Sequence, residues 1–160
     1  MKHKIISADG AAAAAEELRQ NGKRLVFTNG CFDILHVGHV RYLAAARAQG
    51  DALMVAINGD ESVRALKGDG RPLNREAERA ELIAALEAVD HVVIFPEVRA
   101  TALLEQVRPA IYVKGGDYTA ATLDQDERSA LERAATEIRI LPFEPGYSTS
   151  GLVEKMRALS

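Results

Sequence analysis

The sequence predicts an α/β fold in which a parallel sheet lies between two layers of helices. Five short apolar runs have the composition of buried strands, and stretches of helical composition separate them along the 160 residues. This alternation implies right-handed crossovers, which make the strands parallel and cover both faces of the sheet. We therefore expect a Rossmann-like three-layer sandwich with a five-stranded parallel sheet of order 3-2-1-4-5.

The strand candidates are apolar segments bounded by polar residues or glycine. They are residues 24–28, 52–57, 91–95, 110–114 and 137–142. Asn29 and Gly30 end the first of them and begin a turn. If the strand order reverses between the first and fourth strands, the turns after both face one crevice, where open parallel sheets bind ligands.

The helix candidates are residues 11–20, 40–48, 75–89, 98–107, 126–135 and 148–159. Gly50 is placed as the C-terminal cap of the second and Asn74 as the N-cap of the third. Ser148 or Thr149 can cap the last helix. We expect one domain over 1–160, with an N-terminal packing helix in 1–22 and the Rossmann-like core in 23–160.

Composition narrows the class of protein. A net charge of -3 gives no broad basic face for nucleic acid, so no nucleic-acid partner is expected. No apolar run approaches the roughly 20 residues that cross a bilayer, and the N-terminus lacks the apolar core of a secretory leader. The single cysteine, Cys31, fits a reducing compartment. A cytoplasmic protein without a membrane partner is expected.

The segment 25–39 runs from a buried strand into a turn that ends in two histidines, His36 and His39, on either side of Gly38. At a strand-to-helix turn this spacing can direct two imidazoles at one anionic group. The alternatives are a capping histidine beside a surface histidine, and a metal pair. Asp33 and Cys31 do not complete a familiar zinc set, so no metal ligand is expected from the protein.

Three sequence blocks carry a resemblance to a known family. Gly-Cys-Phe-Asp at 30–33, followed by His-Val-Gly-His at 36–39, resembles the signature of the cytidylyltransferase-like nucleotidyltransferases. These enzymes join a nucleoside monophosphate to a phosphorylated acceptor and release pyrophosphate. The blocks at 27–36, 66–72 and 113–118 are similar to the heptose-1-phosphate adenylyltransferase branch, from about residue 25 onward.

The resemblance implies a reaction and its reactants. ATP and a heptose 1-phosphate would give ADP-heptose and pyrophosphate, for the lipopolysaccharide inner core or a related heptose glycan. In the bifunctional enzymes of this branch the same domain is joined to a kinase half, for which this chain has no room, so a stand-alone enzyme is expected. Mg²⁺ is expected as cofactor, held mainly by ATP phosphates and water. A homo-oligomer, in particular a dimer, is expected by analogy.

The resemblance also assigns residues to roles. The catalytic residues would be His36, His39, Lys67 and Arg79; the nucleotide-binding residues Asn29, Gly30, Cys31, Phe32, Gly38, Lys114, Gly115, Asp117, Ser148 and Thr149; the acceptor-binding residues Asp33, Asn58, Asp60 and Arg71. Lys67 is expected in a glycine-flanked loop after the second strand. Alternatively, Arg79 is an exposed helix partner of a neighbouring glutamate, and Asp33 a turn residue.

One departure separates the chain from many cytidylyltransferases. They have an arginine shortly before the Ser-Thr start of the last helix, and residues 143–149 contain none. The departure disfavours a cytidine nucleotide. Two other functions remain open at this point: another enzyme of the superfamily, such as a glycerol-3-phosphate cytidylyltransferase, and a nucleotide-binding protein that has lost turnover.

Overall fold

A computed structural model describes residues 1–116, 119, 122–142 and 144–160 of the chain. Its centre is a six-stranded, wholly parallel sheet of order β1-β4-β3-β2-β5-β6. The strands are β1 (Ile5–Ile6), β2 (Leu25–Gly30), β3 (Ala52–Asn58), β4 (His91–Phe95), β5 (Ile111–Gly115) and β6 (Glu137–Leu141). The fold is α/β and Rossmann-like.

The prediction of a five-stranded sheet of order 3-2-1-4-5 is wrong. A sixth strand, β1, pairs with β4 at the sheet edge through Ile5 opposite Val92 and Ile6 opposite Val93. Two residues are too few to show a strand period, so the sequence pattern did not reveal this strand. Residues 1–22 accordingly contain more than a packing helix, because a 3-10 turn at Lys2–Lys4 and β1 precede the helix.

Seven helices are present in the described part of the chain. They are α1 (Ala8–Gln20), α2 (Val37–Arg47), α3 (Asp60–Lys67), α4 (Glu76–Ala84), α5 (Thr101–Val107), α6 (Gln125–Arg133) and α7 (Thr149–Ala158). Ser148 caps α7 by accepting a hydrogen bond from the Gly151 amide, which confirms one of the two predicted caps. None of these helices is long and apolar enough to cross a membrane.

Two predicted caps and one predicted loop are wrong. Helix α2 ends with Ala48 as its C-cap, and Gly50 instead packs where a Cβ would lie 2.7 Å from the Arg24 carbonyl oxygen. The N-cap of α4 is Arg75 rather than Asn74. The segment expected to be a loop at Lys67 is helix α3, which the sequence analysis missed because the helix is only eight residues long.

The core is divided between the two faces of the sheet. One apolar cluster, with Phe27 and Tyr112 at its centre, packs under α1, α5 and α6. The other, with Leu43 and Ile83, packs under α2 and α4. All seven residues of β3 are buried, as expected for a central parallel strand covered on both faces. Helix α7 contributes no buried residue, so it lies at the periphery.

Candidate functional site

The carboxyl ends of the neighbouring strands β2 and β5 open into a cavity of about 300 Å³. It is lined by Asn29, Gly30, Cys31, Phe32, Asp33, His39, Tyr42, Lys67, Arg71, Lys114, Gly115 and Thr149. A second cavity, of about 200 Å³, lies between the N-terminal ends of α2 and α7. It is lined by His36, Gly38, His39, Tyr42, Glu144, Tyr147, Ser148 and Thr149. His39, Tyr42 and Thr149 line both, so the two cavities adjoin.

The second cavity is flanked by the starts of two helices. His36 is the N-cap of α2 and His39 lies in its first turn, which confirms the predicted helix start at this turn. Ser148 and Thr149 lie at the start of α7. Amide groups without intrahelical partners and the positive ends of both helix dipoles favour an anion between them.

The two histidine rings stack with their centroids 3.9 Å apart. The His36 amide donates to His39 Nδ1 at 3.3 Å. Because Nδ1 accepts this hydrogen bond, neutral His39 carries its proton on Nε2. Within the described part of the chain, His36 Nδ1 is buried and has no hydrogen-bond partner. A polar atom left in this state is costly unless a ligand satisfies it.

Burial disfavours the charged form of both imidazoles. It lowers the pKa of His39 from 6.5 to about 4, and the neighbouring His36 adds to the effect. Burial also lowers the pKa of His36. Without a ligand, the pair therefore offers N–H donors rather than two positive charges. A bound phosphate would favour the protonated forms, since an opposite charge stabilises the imidazolium.

Gly38 allows this turn to pack closely. A Cβ on Gly38 would lie 2.8 Å from His36 Cε1, His36 Nδ1 and Tyr147 Cβ. These distances are shorter than any normal Cβ contact, so something must shift. A side chain at this position would therefore displace the histidine or the start of α7.

Three basic side chains line the first cavity: Lys67, Arg71 and Lys114. Lys67 is the last residue of α3 rather than part of a loop, and Gly68 follows as the helix cap with φ 93°. Lys114 lies near the end of β5, where burial lowers its pKa and the Glu127 carboxylate opposes that change. The cavity thus combines positive charge from three separate elements.

Asp33 is buried and its carboxylate is fully engaged. It accepts hydrogen bonds from the Leu73 amide at 2.9 Å, from the Asn74 amide at 2.9 Å and from the Arg71 guanidinium at 3.0 Å. Burial alone would raise the pKa of Asp33, but these three donors together hold it below its usual range. Asp33 therefore fixes the loop that carries Arg71, and its oxygens face protein donors.

Asn74 takes part in the same attachment and lies one residue before Arg75, the N-cap of α4. Its side-chain amide donates to the Asp33 carbonyl oxygen at 2.6 Å. This bond joins the segment before α4 to the Asp33 segment at the end of β2.

Arg79 lies behind the cavity wall, with none of its side chain exposed. Its guanidinium donates to the Cys31 carbonyl at 2.7 Å, the Asn58 carbonyl at 2.8 Å, the Asn74 carbonyl at 3.0 Å and the Asp60 carboxylate at 2.8 Å. The alternative of an exposed helix partner is wrong. Arg79, Asn58 and Asp60 do not line either cavity. In this geometry they join the ends of β2 and β3 to α3 and α4.

The remaining predicted nucleotide-binding residues lie at the two cavities, except Asp117, which falls outside the described residues. Phe32 adopts a positive φ of 49°, which is uncommon for a residue with a side chain, and its ring meets His39 edge to face. Burial raises the pKa of the Cys31 thiol, so the reactive thiolate is disfavoured. Cys31 serves as part of the wall.

Sequence reasoning missed Tyr42, which lines both cavities. Its hydroxyl lies 2.8 Å from Thr28 Oγ1 and donates to the Val113 carbonyl at 3.3 Å. Burial raises the pKa of Tyr42 to about 12. Its position three residues after His39 in α2 places both on one helix face, and that spacing was the available signal.

Glu144 and Tyr147, at the second cavity, were also absent from the predicted set. Arg41 pairs with Glu144 at 2.6 Å and lies 5.3 Å from the centre of the Tyr147 ring. These contacts attach the segment before α7 to α2. They depend on residues about 100 positions apart, so no local pattern indicates them.

Comparisons with known proteins identify relatives of this chain. The chain is 49% identical over 154 residues to the bifunctional protein HldE of Geotalea uraniireducens, a match that covers 96% of this chain and 31% of that protein. It is 48% identical over 158 residues to HldE of a Bradyrhizobium species, covering 98% and 32%. The chain thus spans about a third of the length of these curated relatives.

A solved structure shares the fold. The lipopolysaccharide core biosynthesis protein from Thermoplasma volcanium superposes with a TM-score of 0.63 at 29% identity, covering 77% of this chain and 98% of that one. Residues 27–155 match the cytidylyltransferase-like family profile. This match begins within β2 and includes β3 to β6 and both helix starts at the second cavity. The chain therefore belongs to the cytidylyltransferase-like family.

Proposed function

We propose that the protein transfers AMP from ATP to a heptose 1-phosphate, giving ADP-heptose and pyrophosphate. The observation that carries the proposal is the meeting of Lys67, Arg71 and Lys114 with the starts of α2 and α7 around two adjoining cavities. Such a site suits two phosphorylated ligands side by side. The similarity to HldE proteins and the sequence blocks shared with the heptose branch favour this acceptor.

The proposed reaction requires the protein to position its substrates and to neutralise their charge. The sugar phosphate is already an anionic nucleophile, so its oxygen attacks the α-phosphorus without a general base, and pyrophosphate leaves. In the proposed mechanism His39 Nε2 donates to a triphosphate oxygen, and Lys67 stabilises the charge of the leaving pyrophosphate. His36 assists from the adjacent stacked ring. Arg71 and Asn29 contact ligand oxygens in the first cavity.

Arg79, Asn58 and Asp60 have a supporting role in this proposal. Arg79 is closed off from both cavities, so it acts by holding the Cys31 and Asn58 carbonyls at the strand ends. Asp33 likewise holds the Arg71 loop. These residues position the groups that touch substrate.

Mg²⁺ fits this site as an ion brought by ATP. Among the described residues, no group of three histidine, cysteine, aspartate or glutamate side chains could hold a metal. Asp33 is the only carboxylate among the described residues lining the first cavity, and protein donors occupy its oxygens. The phosphates and water would hold the ion, which would neutralise part of the triphosphate charge.

The domain organisation, the number of subunits and the cellular location stay predictions. We propose a single domain, a homodimer and a cytoplasmic location, the last because ATP is the proposed nucleotide. Light scattering would measure the number of subunits.

The first test is pyrophosphate release with Mg²⁺, with ATP, CTP and GTP each paired with the heptose 1-phosphate anomers and glycerol 3-phosphate. Release restricted to ATP with a heptose 1-phosphate is the expected result and identifies the anomer. Release only with CTP and glycerol 3-phosphate would show that these two compounds, and not ATP and a heptose 1-phosphate, are the substrates. Silence with every pair, from a folded protein, would refute the proposed activity.

A further inference from the structure

Asn29 lies near the end of β2 and lines the first cavity. The Tyr112 hydroxyl donates to Asn29 Oδ1 at 2.7 Å. This hydrogen bond has the usual O–H···O length and joins two adjacent strands at the point where ligands of parallel sheets bind.

The sheet register explains the contact. Tyr112 of β5 lies opposite Phe27 of β2, and their rings stack with centroids 6.2 Å apart. Asn29 follows Phe27 by two residues, so both side chains point to the same face of the sheet. The Tyr112 side chain is fully buried, and its hydroxyl extends diagonally towards the cavity.

The contact determines which end of the Asn29 carboxamide is available. Oδ1 accepts the tyrosine hydrogen bond. Among the described residues, Nδ2 makes no hydrogen bond to protein, and it is not one of the buried polar atoms without a partner. The NH₂ group is thus left as a donor at the cavity surface.

We propose that Tyr112 is a positioning residue that aims the Asn29 NH₂ group at a phosphate oxygen of the bound substrate. A phosphate is favoured because Lys67, Arg71 and Lys114 line the same cavity. An amide that can rotate freely would present its oxygen to the phosphate in part of the population, and that orientation repels the ligand. The inference rests on the proposed function.

The test is a double-mutant cycle of Tyr112→Phe and Asn29→Ala, followed by steady-state kinetics and thermal unfolding. Tyr112→Phe keeps the ring and removes only the hydroxyl. We expect it to lower kcat/KM about 3- to 10-fold, the factor that corresponds to one neutral hydrogen bond. In the Asn29→Ala background the same change should have no effect on kcat/KM. An equal loss in both backgrounds would overturn the proposal, as would no loss in either.

Thr136→Val is a matched control for the loss of a hydroxyl. Thr136 Oγ1 donates to the Pro109 carbonyl at 2.7 Å, before β5 and β6 begin and thus at the far end of the sheet. This variant should lose stability while kcat/KM remains that of the wild type. If it lowers kcat/KM as Tyr112→Phe does, stability accounts for both effects and the positioning role is refuted.

A measurement without turnover separates this inference from the proposed function. The Asn29 side-chain NH₂ resonances of the unliganded protein should shift in Tyr112→Phe and stay unchanged in Thr136→Val. Unchanged resonances in Tyr112→Phe would overturn the inference. If the wild type is inactive but its Asn29 resonances still depend on the Tyr112 hydroxyl, the proposed reaction is refuted. The proposed orientation of the Asn29 amide then still stands.

Discussion

Two polar regions at the carboxyl edge of the sheet differ in how their hydrogen-bonding groups are satisfied. In the first, which we call the arginine tie, Arg79 donates to carbonyls of Cys31, Asn58 and Asn74 and to the Asp60 carboxylate. In the second, the histidine turn of residues 36–39, His36 Nδ1 is buried without a described partner. Protein groups provide four acceptors for the Arg79 guanidinium, whereas a ring nitrogen of the histidine turn is left unpaired by the described residues.

The difference indicates where stability and activity each reside. A buried guanidinium with four acceptors joins four chain segments, so losing it leaves carbonyls unpaired in the interior. The histidine turn carries the cost of a desolvated pair whose donors can be satisfied by an anion. Variants in the arginine tie should therefore change unfolding most, and variants in the histidine turn should change turnover most.

Arg79→Met should have the largest effect. It keeps much of the side-chain volume, removes the guanidinium donor from three carbonyls and leaves the Asp60 carboxylate with the Glu76 amide alone, so we expect a loss of about 3–5 kcal/mol in unfolding free energy. Urea unfolding measures it. Arg79→Lys keeps the charge and should recover part of the loss. A folded Arg79→Lys protein with wild-type stability and no turnover would instead show that Arg79 acts on substrate directly.

His39→Ala should lower turnover strongly and change stability little. Removal of a donor to the transition state should lower kcat about 10²–10³-fold, as for other preorganised donors, while unfolding free energy changes by about 1 kcal/mol or less. Pyrophosphate release and urea unfolding are measured on the same sample. His3→Ala, which removes an exposed histidine near the N-terminus, is the matched control. Near-normal rates from folded His39→Ala would remove this residue from the mechanism.

Gly38→Ala tests how tightly the histidine turn is packed. The new methyl group would meet the His36 ring and Tyr147 Cβ at 2.8 Å, so we expect about 1–3 kcal/mol of destabilisation together with reduced turnover. Gly10→Ala in α1, where the nearest atoms are 3.3 Å away, is the comparison. Equal kinetics in the two variants would mean that the position of His36 is not important for turnover.

The pH dependence of stability tests whether His39 is neutral in the folded protein. The pKa of His39 is 6.5 when the residue is free in solution and about 4 in the folded protein, so the unfolded chain binds more protons between these values. Stability should therefore fall as pH drops from 6.5 towards 4. His39→Asn should show a shallower decline in its urea midpoint over that range. Identical slopes in the two proteins would contradict a neutral, buried His39.

The sequence was most informative where the structure depends on neighbouring residues. The apolar run that forms β2 and the helical composition after His39 predicted a strand, a turn and a helix around the two histidines. Those elements are present, with His36 and His39 at the start of α2. The histidine and glycine blocks also indicated the family, because their spacing is local.

Other features depend on contacts between distant parts of the chain. Ile5 and Ile6 become a strand only because the edge of β4 is available to pair with them. Asn74 donates to the Asp33 carbonyl, 41 residues away, and Arg75 is the N-cap of α4 instead. Tyr112 and Asn29 meet across 83 residues because β2 and β5 are adjacent. No periodicity in the sequence encodes such pairings.

The sequence by itself determined the strand-turn-helix unit, the chemistry of its side chains and the family to which the chain belongs. Only the tertiary structure decided which of those side chains face the cavities. The family resemblance assigns Lys67 and Arg79 the same kind of role, yet Lys67 lines the first cavity and Arg79 is enclosed by protein. The physical reason is that burial and hydrogen-bond saturation depend on segments brought together by the sheet, whereas helix and strand preferences depend on near neighbours.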